Sequence, residues 1–182
     1  MPLDDKIAAA RKIDALLKQI LASGGFRLRY RITVDPPLPQ ERDWERPVIL
    51  VDLSGPDSSM LLERGAELLR SFETVTQEML RLAGNEHEKV QFDCMNHRAM
   101  RIQELQMAAQ VAADRVRKTG APYHFSPMTS RERRILHLAL RDSEDLKTES
   151  SGEAGRRAVV VMPKDYDPAR AAHRPAMGRR RR

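Results

Sequence analysis

Arg133 and His137 stand four residues apart in the run from Ser126 to Leu140, the part of this 182-residue chain whose side chains are best spaced to do chemistry. On a helix that spacing places a guanidinium and an imidazole on one face, where both can converge on a single phosphate or base. Arg131 and Arg134 flank them. Cations in the first turns of a helix oppose its macrodipole at roughly 0.3 to 1 kcal/mol each, a cost that folding alone gives no reason to accept and that a bound polyanion would offset. Thr129 or Ser130 can cap this helix, and Ile135, Leu136, Leu138, Ala139 and Leu140 make its apolar end. The plainer alternative for His137 is a hydrogen-bonded, core-facing histidine that positions the helix.

Other chemistries find less support. His87, His97, His124, His137 and His173 lack the spacing of metal ligands, and neither a nucleophile motif nor a glycine-rich phosphate loop is present. The reading is therefore not an enzyme, with no metal and no cofactor. Cys94, the single cysteine, excludes an intramolecular disulfide and fits a reducing compartment, so a cytoplasmic location is expected. No apolar run approaches the length of a membrane span, and the amphipathic N-terminus does not read as a signal peptide. The formal charge of +6 is uneven: seven of the 32 basic residues but only two of the 26 acidic ones lie between Lys164 and Arg182, leaving the body close to neutral. Any basic surface on the folded part must come from local clustering.

The elements that must position these groups follow from periodicity. From Asp4 to Leu21 the apolar residues recur at helical spacing and Ser23-Gly24-Gly25 supplies the stop. Phe26 to Val34 alternates strictly and predicts a half-buried strand, with Arg27, Arg29 and Arg31 as a basic stripe on its polar face, more simply a solvated face than a binding surface. Asp35 to Pro47 is a proline-rich loop holding Trp44, read as a packing anchor, and Pro47 to Leu53 a second strand. A short helix over Ser58–Glu63, a turn at Arg64-Gly65, a longer helix over Ala66–Leu82 and a third strand over Lys89–Cys94 complete an α+β unit with a three-stranded sheet covered by helices. A long helix follows over Asn96–Lys118, with small residues along one side and basic ends, then an extended Pro122–Phe125 and the helix of Arg133. Asp142 to Gly155 reads as a polar loop and Arg156 to Met162 as a strand whose leading pair, Arg156 and Arg157, adds positive charge. The remainder reads as a disordered, arginine-rich tail.

The Arg-x-x-x-His spacing, preceded by Pro127-Met128 and followed by a polar turn and the strand Arg-Arg-Ala-Val-Val-Val, resembles the R-three-H domain, a small single-stranded nucleic-acid-binding module. The fuller run, from Phe92 through "TGAPYHFSPMTSRERRILHLALRD" to "TESSGEAGRRAVVVMP", is similar to the Jag (SpoIIIJ-associated) family of bacterial proteins, in which a KH domain precedes an R-three-H domain. The resemblance implies a KH-like domain over 1–95, joined by the long helix to a small α+β R-three-H domain over 96–163, with a basic tail over 164–182. The N-terminal Jag domain of many members is not expected, since the first KH helix begins almost at Met1. The KH motif carries a Gly-x-x-Gly loop that clamps a nucleic-acid backbone. Its matching residues here are Leu62, Glu63, Arg64 and Gly65, so a side chain is expected to obstruct the approach, Glu63 to repel phosphate, and the KH unit to act as scaffold or dimerisation surface.

Single-stranded RNA, or single-stranded DNA, is the implied partner, bound by Arg133 and His137 with Arg131, Arg134, Arg156 and Arg157 assisting. A post-transcriptional or cell-envelope and elongation regulator would use such a site. The alternative is an adaptor that pairs with another KH protein or with itself and links indirectly to a membrane insertase of the YidC type, without direct membrane insertion.

Overall fold

In the computed structural model, residues 3–37 and 47–167 are described, together with the side chains of all of these but Ala154. Trp44 and most of the arginine-rich end therefore lie outside the described residues. The chain divides into two compact units, Met1–Ala99 and Met100–Arg182. Both are α+β.

The first unit runs α1 (Lys6–Gly24), β1 (Arg29–Val34), β2 (Ile49–Ser54), α2 (Ser58–Met79), a 3-10 turn (Gly84–Lys89) and β3 (Val90–Cys94). Asp5 caps α1 through the Ala8 amide, and Gly25, left-handed at φ 66°, closes it. The sheet order is β1-β2-β3, with β1 antiparallel to β2 and β2 parallel to β3. Ile49, Val51 and Leu53 of β2 and Val90, Phe92 and Cys94 of β3 meet Ile13 and Leu17 of α1 and Leu61, Leu69 and Phe72 of α2 in one buried core. The alternation expected from Phe26 continues into pairing only from Arg29, whose partner Ser54 is the last residue of β2. Phe26 and Leu28 are partly buried against the core without joining the ladder, Phe26 in edge-to-face contact with Phe72. Arg27, Arg29 and Arg31 are exposed, and Arg27 is paired with Asp57 at 2.8 Å.

Inside α2 the helix breaks where a turn was expected. Glu63 is extended, and Arg64, Gly65 and Ala66 are left-handed in succession, with φ of 50°, 68° and 63°. Two of these carry a Cβ, which disfavours that region by roughly 1 to 2 kcal/mol per residue. Leu62 is partly buried and packs against the core, so its side chain is spent on packing rather than on blocking the turn, while Glu63 and Arg64 are exposed. A Cβ on Gly65 would meet nothing within 4 Å.

The second unit contains most of α3 (His97–Thr119), then β4 (Tyr123–His124), α4 (Ser130–Ala139), β5 (Leu146–Ser151), a 3-10 turn (Ala154–Arg156) and β6 (Ala158–Pro163). Its sheet order is β4-β6-β5, antiparallel throughout, with the valine-rich β6 in the centre. Two expectations are corrected here. The polar loop of residues 142–155 contains a six-residue strand, β5, because every residue from Leu146 to Ser151 pairs with β6. The following strand starts at Ala158 rather than Arg156, since Ala154–Arg156 winds into the hairpin turn. Gly152, at φ 97°, permits that turn: a Cβ there would lie 2.6 Å from the carbonyl oxygen of Arg156. Among the described residues no helix is long and apolar enough to cross a membrane, and no group of three or more His, Cys, Asp or Glu side chains is placed to hold a metal ion.

Candidate nucleic-acid interface

Helix α4 owes its start to a capping box. Thr129 Oγ1 accepts from the Glu132 amide, and the Glu132 carboxylate accepts in return from the Thr129 amide (2.9 Å) and hydroxyl (3.0 Å). Arg101 of α3 donates to the same carboxylate at 2.8 Å. Burial alone would raise the Glu132 pKa. The bonds from Thr129 and the Arg101 guanidinium outweigh it and hold the carboxyl below its ordinary range. This acidic first-turn residue complements the helix dipole and explains how three nearby arginines are tolerated without a ligand.

Leu136 and Leu140 face the core, together with Ile135. At about 100° per residue, Arg133 and His137 fall on one flank of that buried stripe, Arg134 lies about 60° from His137 on the solvent side, and Arg131 lies on the other flank, about 40° from Ile135. Arg134 is exposed and Arg131 half-buried. Arg133 thus stands with the histidine over β5, while Arg134 is the histidine's i,i+3 neighbour toward solvent and Arg131 lies across the helix from Arg133.

What Arg133 and His137 face is β5. Arg133 Nη1 donates to Ser150 Oγ at 3.1 Å. His137 Nε2 lies 3.0 Å from the same oxygen, and His137 Nδ1 lies 2.7 Å from Thr148 Oγ1. Arg133 Nε is buried and has no hydrogen-bond partner. Burial, and then the positive charge of Arg133, lower the His137 pKa and favour the neutral ring at physiological pH. Thr148 and Ser150 are two apart on a strand and so share its helix-facing side. Neither was singled out from the sequence, because their segment read as a loop. The available signal was the alternation Thr148-x-Ser150 running into a glycine turn and a valine strand, which is a hairpin pattern.

Arg157 and Arg156 sit at the end of that hairpin, both exposed. The Arg157 carbonyl accepts from the Met128 amide at 3.1 Å, so the hairpin is fastened to the segment leading into α4. The two arginines therefore flank the end of β5 that carries Ser150. On the far edge of the sheet, Tyr123 and Phe125 form an edge-to-face pair at 5.0 Å, with Arg115 of α3 at 5.4 Å from the Tyr123 ring centre.

A cation on a capped helix above a hydroxyl-bearing strand is the arrangement found within residues 103–163, and those residues match the R-three-H domain family. The chain is also similar to curated proteins of greater length. It is 32% identical over 114 residues to the RNA-binding protein KhpB of Bacillus subtilis, covering 62% of this chain and 55% of that protein. With the RNA-binding protein KhpB of Clostridium symbiosum it shares 29% identity over 114 residues, 63% of this chain and 51% of the relative. The corresponding protein of Lactiplantibacillus plantarum is 28% identical over 102 residues, 56% of this chain and 32% of its own length. The chain spans about half the length, or less, of the curated relatives it matches.

Proposed function

We propose that this chain binds single-stranded RNA, in preference to single-stranded DNA, without catalysing a reaction, and that the face of α4 carrying Arg133 and His137 is its principal contact. The observation that carries the reading is the meeting of those two side chains over Ser150, which gives the cluster a fixed geometry instead of two independently mobile groups. Arg133 would bind phosphate. Arg156 and Arg157 would extend the track along the hairpin, Arg134 would add to the local potential beside His137, and Arg131 would add to it from across α4. The R-three-H match and the names of the relatives support the same class of ligand.

In this reading residues 1–95 form a KH-like domain serving as scaffold or pairing surface, 96–163 the R-three-H domain, and 164–182 a basic extension, of which 168–182 lie outside the described residues. A strong backbone clamp at Leu62–Gly65 is not part of the proposal, because the exposed Glu63 carboxylate at the turn repels phosphate. The physiological setting proposed is post-transcriptional control of cell-envelope growth in a bacterial cytoplasm.

The test is a titration of a short labelled oligouridylate, and its deoxy counterpart, with a chain ending after Asp167. Arg133→Ala should weaken RNA binding by about tenfold or more, as expected for loss of a charged hydrogen bond. It should also reduce the slope of log affinity against log salt by about 0.7, the value for one phosphate on a single strand. Unchanged affinity and slope for Arg133→Ala and His137→Ala together would sink the assignment.

A further inference from the structure

We infer that the Ser150 hydroxyl is itself a ligand of the bound phosphate, and that His137 acts on the nucleic acid through Ser150 as a positioning residue instead of touching it. This rests on the reading of the α4 face given above and assigns its chemistry. A serine hydroxyl has one proton and two lone pairs. Ser150 Oγ already accepts from Arg133 Nη1, which can only donate, and it lies within hydrogen-bond distance of His137 Nε2. Both ring nitrogens of His137 are engaged, Nδ1 by Thr148 and Nε2 by Ser150, so neither is available for phosphate in this arrangement.

Two neutral proton arrangements satisfy the cluster. In one, His137 carries its proton on Nδ1 and donates it to Thr148, while Ser150 gives its only proton to Nε2 and has none for a ligand. In the other, the ring proton is on Nε2 and is donated to Ser150, Thr148 donates to Nδ1, and Ser150, with both lone pairs filled by Arg133 and His137, turns its O–H outward. The proton count is the same in both; the ring exchanges a proton with water as the two hydroxyls rotate. A phosphate oxygen offers only acceptors, so its arrival selects the second arrangement. Phosphate is then held by Arg133 and by a hydroxyl that His137 and Thr148 have oriented. A hydrogen bond already formed to a guanidinium and an imidazole polarises the outward O–H and strengthens it as a donor.

The experiment compares the full chain with Ser150→Ala, Ser150→Thr and Arg133→Ala for binding to the short oligouridylate across a salt series, and records the nitrogen resonances of the His137 ring with and without RNA. Preserved amide spectra verify folding of each variant. Ser150→Ala should bind about tenfold more weakly with an unchanged salt slope, because a neutral ligand is lost, and Ser150→Thr should restore binding. In the complex the His137 ring should carry a proton on Nε2. Ser150→Ala binding like wild type while Arg133→Ala is weakened would overturn this inference and leave the α4 reading standing. A bound ring protonated on Nδ1 alone would do the same, since Ser150 would then have no proton to give. Should Arg133→Ala bind like wild type, the reading beneath it falls as well.

Discussion

Replacing Glu132 by alanine removes the group that both starts α4 and ties it to α3. Two Thr129 donors, the amide and the hydroxyl, lose their acceptor, and Arg101 loses a bond of 2.8 Å. Loss of a helix cap costs about 1 kcal/mol within a range of roughly 0.5 to 2. The Arg101 pair, with the guanidinium 43% and the carboxylate 18% exposed, is partly screened and adds somewhat under about 1 kcal/mol. Together these come to about 2 kcal/mol, or close to a thirtyfold change in a local opening equilibrium. Native-state hydrogen exchange reads this directly: the Arg133 amide, bonded to the Thr129 carbonyl at 3.0 Å, should exchange about thirtyfold faster, while amides of β2 and β3 in the first unit keep their protection. Glu132→Gln, which retains one acceptor oxygen, should fall between the two. A double-mutant cycle with Arg101→Ala should return a coupling of about 0.5 to 1 kcal/mol. Protection of α4 unchanged in Glu132→Ala, or an equal loss spread over both units, would refute the account of how this helix is held.

Further tests address other parts of the chain. Gly152→Ala drives a Cβ toward the Arg156 carbonyl at a φ of 97° and should destabilise the second unit by about 1 to 3 kcal/mol in urea unfolding, with weaker RNA binding as Arg156 and Arg157 shift. Arg64→Gly relieves an exposed left-handed residue and should stabilise the first unit by up to about 1 kcal/mol, seen as a higher urea midpoint. The pH dependence follows from His137, which faces Arg133 on its own helix and the uncharged Thr148 and Ser150 across on β5. Its folded pKa is lowered, so the unfolded chain binds more protons; its stabilising contribution is complete above the ordinary value of 6.5 and is lost as pH falls from there through the folded value. Unfolding free energies measured from neutral pH downward should decline for wild type in that window and stay flatter for His137→Asn. The corresponding loss from Glu132 begins only below its ordinary 4.5, which separates the two groups.

The helices and central strands were legible because their patterns are strong. Ile13 and Leu17 lie on one face of α1, and Ile49, Val51 and Leu53 on one face of β2, as the spacing predicts. The turn at Arg64-Gly65 was legible too, although its left-handed stretch extends to Ala66, which nothing in an alanine announces. β5 was not legible: apart from Leu146 it is built from Lys147, Thr148, Glu149, Ser150 and Ser151, residues common in loops, and becomes a strand through pairing with the valines of β6. Missing that strand hid half of the candidate site. The spacing of Arg133 and His137 identified the helix face, but what a helix face looks at is decided by tertiary structure. The same omission hid that Arg133 and His137 share one hydrogen-bond partner, Ser150, on β5.

The single oxygen at Ser150 also shapes how this protein can change over generations. One hydroxyl serves as the common partner of two side chains from another element, so the effects of altering Arg133 and His137 cannot be independent: once either is gone, the hydroxyl has a lone pair left open and turns differently toward the one that remains. A lineage that drifts to alanine at position 150 removes the reason for keeping a histidine at 137, and with it the reason for threonine at 148. Positions 133, 137, 148 and 150 are therefore expected to be inherited, and lost, as a block.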